Sequence, residues 1–209
     1  MFKFVYDTQS FEHVFNLPNG ALFSQDSIID IQLMNDISPN WIYTEGKPSA
    51  VGILYENRMT VYVAEKEGDV LFKESVWLAL QDAAKVSKLY AFNWRFERDV
   101  LKVLFGGFEF PFNEIIPIRG VGWNRDKCYN VLREKGVLKI SKEIYDIYGG
   151  DSKKPMIDFA DWLKDGDHQH LMNIVHHNLH CLIKESLIHK NRDWFAKNYA
   201  LNGKGFEKK

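Results

Sequence analysis

The segment from residue 27 to residue 64 constrains the fold more than any other. Ser27-Ile-Ile-Asp-Ile-Gln-Leu-Met34 alternates with a period of two, which sets Asp30 and Gln32 on one face and Ile29, Ile31 and Leu33 on the other. After a loop from Pro39 to Pro48, residues 50–55 and 59–64 flank Glu56-Asn57-Arg58 in the pattern of an antiparallel hairpin. Three strands in close succession form a meander, and a meander must find helices to cover its apolar face.

Those helices follow. Apolar residues recur at helical spacing over residues 71–86 (Val76, Leu80, Ala83, Ala84), residues 89–93 read as a buried strand, and residues 96–105 as a second helix stopped by Gly106-Gly107. An aromatic, proline-containing connection over 108–122 leads to a helix at about 126–135 and a loop around Gly149 to Pro155. A long helix is expected over 168–190, with Leu171, Ile174, Val175, Leu182 and Ile183 as its apolar stripe. The expected class is therefore α/β: a mixed sheet, antiparallel meander first and strand-helix units after, flanked by helices. Residues 2–6 add a short strand, so 1–26 is read as an N-terminal strand and loop packed on a main domain of 27–202, with 203–209 as a flexible tail.

Composition narrows the function classes. A hydrophobic content of 45% with 26% charged residues is that of a globular chain, and 14% aromatics supplies large rings to bury. A formal net charge of -1 provides no whole-chain attraction to nucleic acid or anionic membrane, so such binding must come from local patches. The basic residues Lys85, Lys88, Arg95, Arg98, Lys102, Arg119 and Arg125 could hold phosphates if they cluster, with Trp94 or Trp123 stacking a base. Interleaved charges of this kind are more commonly a solvated face. The two cysteines, Cys128 and Cys181, lack metal-type spacing and fit a reduced, cytoplasmic compartment. The start of the chain has no signal-peptide pattern and no run of about 18 apolar residues occurs, so no membrane association is expected.

Three segments, taken in order, resemble the motifs of the DEDD superfamily of 3′–5′ exonucleases, whose fold is RNase H-like. Ile29-Asp-Ile-Gln32 is similar to a strand carrying Asp-x-Glu just before a hairpin. Phe92-Asn-Trp-Arg-Phe-Glu-Arg-Asp-Val-Leu101 is similar to a strand-to-helix segment with Asn followed by Phe-Asp, Glu97 standing for that Asp. Asp165-Gly-Asp-His-Gln-His-Leu171, leading to His177-Asn-Leu-His-Cys181, is similar to a Gly-Asp segment and a helix with His-Asn, Cys181 standing where the family has Asp. The resemblance spans about residues 27–190. It implies an exonuclease-like protein that binds single-stranded DNA or RNA, with Asp30, Gln32, Glu97, His177 and Cys181 in the catalytic positions. It further implies Asn93, Trp94, Arg95 and Asn178 beside the nucleic acid, and Asp30 and Glu97 on Mg²⁺ or Mn²⁺.

The departures bear on the chemistry. Two-metal phosphodiester hydrolysis needs several anionic oxygens at short, fixed distances. Gln32 offers a neutral amide, Glu97 a carboxylate one methylene further out, and Cys181 a soft thiol ill matched to Mg²⁺. The expectation is a weak metal-dependent nuclease or an inactive relative, with Glu185, Asp99 and Asp167 as substitute ligands; the alternative is a protein-interaction module with a protein partner. By resemblance His177 would orient the attacking water.

Simpler readings stand beside each of these. Asp30 and Gln32 could be a solvated strand face, Asn93 a helix cap, and Glu97 a favourable first-turn acid. The histidines at 168, 170, 176, 177 and 180 invite a zinc site through the i,i+4 pairs His176/His180 and His177/Cys181, although a histidine-rich face is more commonly polar surface. Cys181 could be a buried small hydrophobe or, with His177 one turn away, an activated thiol. Asp7, in Tyr6-Asp-Thr-Gln9, offers a rival first motif, at the cost of one strand too many before the first helix.

Overall fold

The computed structural model describes residues 1–35, 43–115, 124–140, 142–149, 151, 153–202 and 205–208. Among them the elements run β1 (Phe2–Asp7), α1 (Thr8–Val14), β2 (Ser24–Leu33), β3 (Pro48–Glu56), β4 (Arg58–Val63), α2 (Val70–Val86), β5 (Leu89–Ala91), α3 (Trp94–Leu104), β6 (Phe112–Glu114), α4 (Arg125–Glu134), α5 (Lys154–Asp165), α6 (His168–Lys190), α7 (Arg192–Asn198), β7 (Tyr199–Asn202) and β8 (Gly205–Lys208). A single 3-10 turn, Tyr43–Glu45, precedes β3.

The main sheet has the order β1-β4-β3-β2-β5-β6. Pairing is antiparallel from β1 through β4 and β3 to β2, then parallel from β2 through β5 to β6. The meander-then-crossover arrangement expected from the periodicity is present, with β1 as an additional edge strand beside β4. Residues 205–208, read from sequence as part of a tail, pair with β7 in a separate two-stranded hairpin.

β2 is central, and its two faces meet different partners. Leu33 lies on the side of α3: a Cβ added at Gly46 would touch both Leu33 and Val100. Asp30 and Gln32 instead face α6, from which Asn178 bonds Asp30. The polar pair is consequently not a solvated face, since Asp30 is 4% exposed and Gln32 9%. α6 packs directly on this side because β3 gives way: a Cβ at Gly52 would lie 1.8 Å from Asn178 Oδ1, so no other residue fits there without displacing the helix. Most of α6 beyond its first two turns is buried, including the polar residues His177, Asn178, Lys184, Glu185, Ser186 and His189. A 23-residue helix with polar groups inside the protein needs partners for them, and these partners define the site.

Candidate functional site

Four elements, β2, α3, α4 and α6, and the loop that carries Asp146 meet in the site. β2 supplies Asp30 and Gln32, α3 supplies Glu97 from its first turn, and α6 supplies His177, Asn178, Cys181 and Glu185. The i, i+4, i+8 spacing of His177, Cys181 and Glu185 puts them in line along one face of α6.

Asp30 is fully engaged. Gln32 Nε2 donates to its Oδ2 at 2.6 Å and Asn178 Nδ2 to the same oxygen at 2.8 Å, while Asn178 also reaches the Asp30 carbonyl at 3.1 Å. Arg125 Nη1 donates to Asp30 Oδ1 at 3.0 Å and to Glu185 Oε1 at 3.2 Å. Arg125 is the first residue of α4, whose cap is Asn124, its side chain accepting from the Lys127 amide. A cation is disfavoured at a helix N-terminus, so the carboxylates must hold it there. Lys184 Nζ donates to Asp126 Oδ1 at 2.7 Å and fixes the start of α4 against α6.

The charges of this cluster do not balance. Burial raises the Glu97 carboxyl well above the usual range, and neighbouring Glu185 and Asp30 push it further. Glu185 is likewise raised well above its ordinary value by burial and by Asp30, with Arg125 opposing. Asp30 is raised by burial against the pull of Arg125 and His177. Burial works against a charged Arg125, but the surrounding acidic groups outweigh it and hold the guanidinium protonated. Burial also raises the Cys181 thiol well above its usual value. At neutral pH that thiol is uncharged, so the pull on Arg125 comes from the acidic carboxyl groups around it, Asp30 first.

On the other side of Cys181 is a second chain of contacts. Cys181 Sγ lies 3.7 Å from His177 Nε2, and His177 Nδ1 lies 2.7 Å from Asp146 Oδ1. The Tyr148 ring packs on His177, and the Tyr148 amide donates to the same Asp146 oxygen. The order thiol, imidazole, carboxylate resembles that of an activated cysteine, but a raised thiol pKa and 1% exposure leave the sulfur protonated and out of reach.

The other expected residues are placed as follows. Asn178, expected beside nucleic acid, is completely buried and acts as a strut between α6 and β2. Arg125, expected among surface phosphate contacts, is turned inward. Asn93 occupies the cap position of α3 but makes no side-chain cap hydrogen bond. Of the substitute acids, Glu185 joins the cluster, whereas Asp99 pairs with Arg98 and Asp167 caps α6. Asp7 caps α1 at the edge of the sheet, away from Asp30. His170 pairs with Asp158. Among the described residues no group of three His, Cys, Asp or Glu is arranged to hold a metal ion, zinc included. Arg119 and Trp123 lie outside the described residues. Both cysteines are free thiols.

The residues present do not fit the two ions that the resemblance implies. Both Asp30 oxygens already accept hydrogen bonds, Gln32 must turn its NH₂ to Asp30 because a carboxylate can only accept, and Cys181 is a neutral soft donor. The cation among the carboxylates is Arg125. At the N-terminus of α3, Trp94 is half-buried, Asn93 and Arg95 are exposed, and the guanidinium groups of Arg95 and Arg98 lie 5.5 and 4.9 Å from the Trp94 ring centroid.

In comparisons with known proteins, no protein-family model, curated protein or solved structure matches this chain. Among the described residues no helix is long and apolar enough to cross a membrane.

Proposed function

We propose that this chain is an exonuclease-like, RNase H-like protein that binds the end of a single-stranded nucleic acid without hydrolysing it through metal ions. The observation that carries the reading is the convergence of Asp30, Gln32, Glu97 and Cys181, drawn from three separated segments, at the ends of β2 and β5. Further support is the strand order, an antiparallel meander followed by two parallel strands, which is what the resemblance implies. Loss of hydrolysis follows from the site: a guanidinium cannot bind and activate water as a Lewis acid does. Binding would fall to the Trp94 ring and the exposed Arg95 at the head of α3, where a base can stack and a phosphate can meet both a cation and the helix N-terminus.

Fluorescence anisotropy with labelled single-stranded DNA and RNA tests this. Affinity is expected to fall steeply with added salt, as counterion release requires. Trp94→Ala is expected to weaken binding by about tenfold, the equivalent of one lost stacking contact. Absence of binding at low salt, or robust Mg²⁺-dependent degradation of a 3′-labelled strand, overturns the proposal.

A second reading, a protein-interaction module on the same fold, draws on a different observation. Val70, Leu71 and Leu78 of α2, with Val103 and Phe108 nearby, expose apolar side chains around the Trp77 aromatic cluster. Exposed apolar groups gathered this way are a feature of partner-binding surfaces.

A further inference from the structure

We propose that β1 is the contact between two copies of this chain, pairing antiparallel with β1 of the second copy about a two-fold axis at Val5. The inference stands apart from the nucleic-acid reading, because none of its residues lies in the cluster around Asp30.

The strand has an open edge. β1 ends the sheet order and, among the described residues, pairs with β4 alone. Its register with β4 is unbroken, and it contains neither the proline nor the bulge that commonly blunts such an edge. β6, at the other end of the sheet, has three residues and offers little to pair with. Thr8 donates its amide to the Asn57 carbonyl at 2.8 Å, which fixes the direction of the backbone groups along β1. Those groups alternate, so Phe2, Phe4 and Tyr6 turn theirs toward β4, and Lys3, Val5 and Asp7 turn theirs outward. The Asp7 carbonyl already accepts from Ser10 Oγ at 2.7 Å and keeps a second lone pair.

The side chains select the occupant. Lys3, Val5 and Asp7 are exposed, Val5 at 53%, and Lys3 Nζ is held on this face 5.5 Å from the Tyr62 ring centroid. In antiparallel register about the axis, Val5 faces Val5 of the second copy, and Lys3 of each copy faces Asp7 of the other. The outward-turned backbone groups of the same residues then meet as hydrogen-bonded pairs. On the opposite face, half-buried Phe4 lies across from half-buried Tyr6, an aromatic cross-strand pair. Charges on an edge strand ordinarily discourage pairing, but opposite signs at equal distance from Val5 make this edge complementary to itself. Parallel in-register pairing would instead set Lys3 against Lys3 and Asp7 against Asp7, which is unfavourable. The charges therefore admit one orientation, and a two-fold contact closes at two copies. Six residues a side form a small interface, so the dimer is expected to be weak, with a Kd on the order of 10–100 µM.

Sedimentation velocity on the full chain at low salt, from about 5 to about 500 µM, spans that range and tests the proposal. Circular dichroism first verifies the fold of each variant. Wild type is expected to sediment as a monomer at the low end and increasingly as a dimer at the high end. Val5→Pro removes an outward-turned amide that β4 does not use, and is expected to weaken association at least about tenfold. Lys3→Glu and Asp7→Lys, each of which puts like charges opposite one another, are expected to weaken it similarly. An equimolar mixture of these two charge variants sets every acid against a lysine, and is expected to recover wild-type association. Asp7 Oδ1 also caps α1 by accepting from the Gln9 amide; should Asp7→Lys fail to fold, Val5→Pro and Lys3→Glu decide. The proposal is overturned if wild type stays monomeric throughout, or if Val5→Pro or Lys3→Glu associates as tightly as wild type. It is equally overturned if the two charge variants, both folded, associate no better mixed than alone.

Discussion

His180 illustrates what a single residue costs in this protein. Its ring packs edge-on against Phe15, Nδ1 is buried without a hydrogen-bond partner, and burial pushes its pKa down to about 4, beyond the pull of Asp146 in the other direction. A histidine whose folded pKa is depressed contributes stability above its unfolded value, lost as pH falls from about 6.5 towards about 4. The full shift would be worth more, but the ring is only partly buried, so the loss is expected to be about 2 kcal/mol. His180→Leu keeps the contact with Phe15 and cannot titrate; in urea denaturation at pH 7 and pH 4.5 it should lose less stability than wild type. Equal losses would show that the ring finds a proton acceptor or water in solution. Legibility at this scale is uneven. Asp30 and Gln32 stand out in the sequence because strand alternation puts two polar residues together within an apolar run. Arg125 does not, since an arginine at a helix start reads as surface until the carboxylates that draw it inward are known. Asp146 gives no signal either: it sits in a loop, 31 residues before the histidine it orients.

Among elements, the β3–β4 hairpin was the most legible, and it contains a correctable strain. Tyr55 pairs with Arg58, leaving Glu56 and Asn57 as the loop, and exposed Glu56 has φ 53°. A left-handed residue at the first loop position suits the twist of a tight hairpin, but a side chain with a Cβ has a cost there of about 1 kcal/mol. Glu56→Gly is therefore expected to raise stability by up to about 1 kcal/mol, part of it offset by the freer unfolded chain. A drop in the urea midpoint instead would mean that the Glu56 side chain makes a compensating contact. The long helix α6 was readable from its apolar stripe, whereas α1 and α7, of seven residues each, are too short to establish a period. β6, with three residues, is defined by its parallel pairing to β5 and not by any local pattern. α5 has signals that a sequence can carry: Pro155 near its start, Gly166 in the left-handed conformation beyond its end, and Phe159 and Trp162 at helical spacing. The loop reading around Gly149 to Pro155 overlaps its first two residues, Lys154 and Pro155.

For the whole molecule, the buried acid cluster couples folding to pH in the direction opposite to an ordinary salt-bridged carboxylate. Glu97 is held neutral by burial and by the repulsion of Glu185 and Asp30, so its folded pKa lies well above its unfolded value. The folded state then keeps a proton that the unfolded chain releases. A raised carboxyl contributes stability that is fully present below the unfolded pKa, near 4.5, and is lost as pH rises through the folded value. Within that window the slope attributable to one such group is at most about 1.4 kcal/mol per pH unit. Glu97→Gln preserves the shape and neutrality of the protonated acid and removes the titration. Its stability relative to wild type should therefore grow steadily from pH 5 upward and level off only where Glu97 ionises inside the fold. Urea denaturation of both proteins at pH 5, 6, 7 and 8 measures that difference directly, and His180 cancels because both proteins carry it. A difference that stays flat across the series would mean that Glu97 is charged throughout.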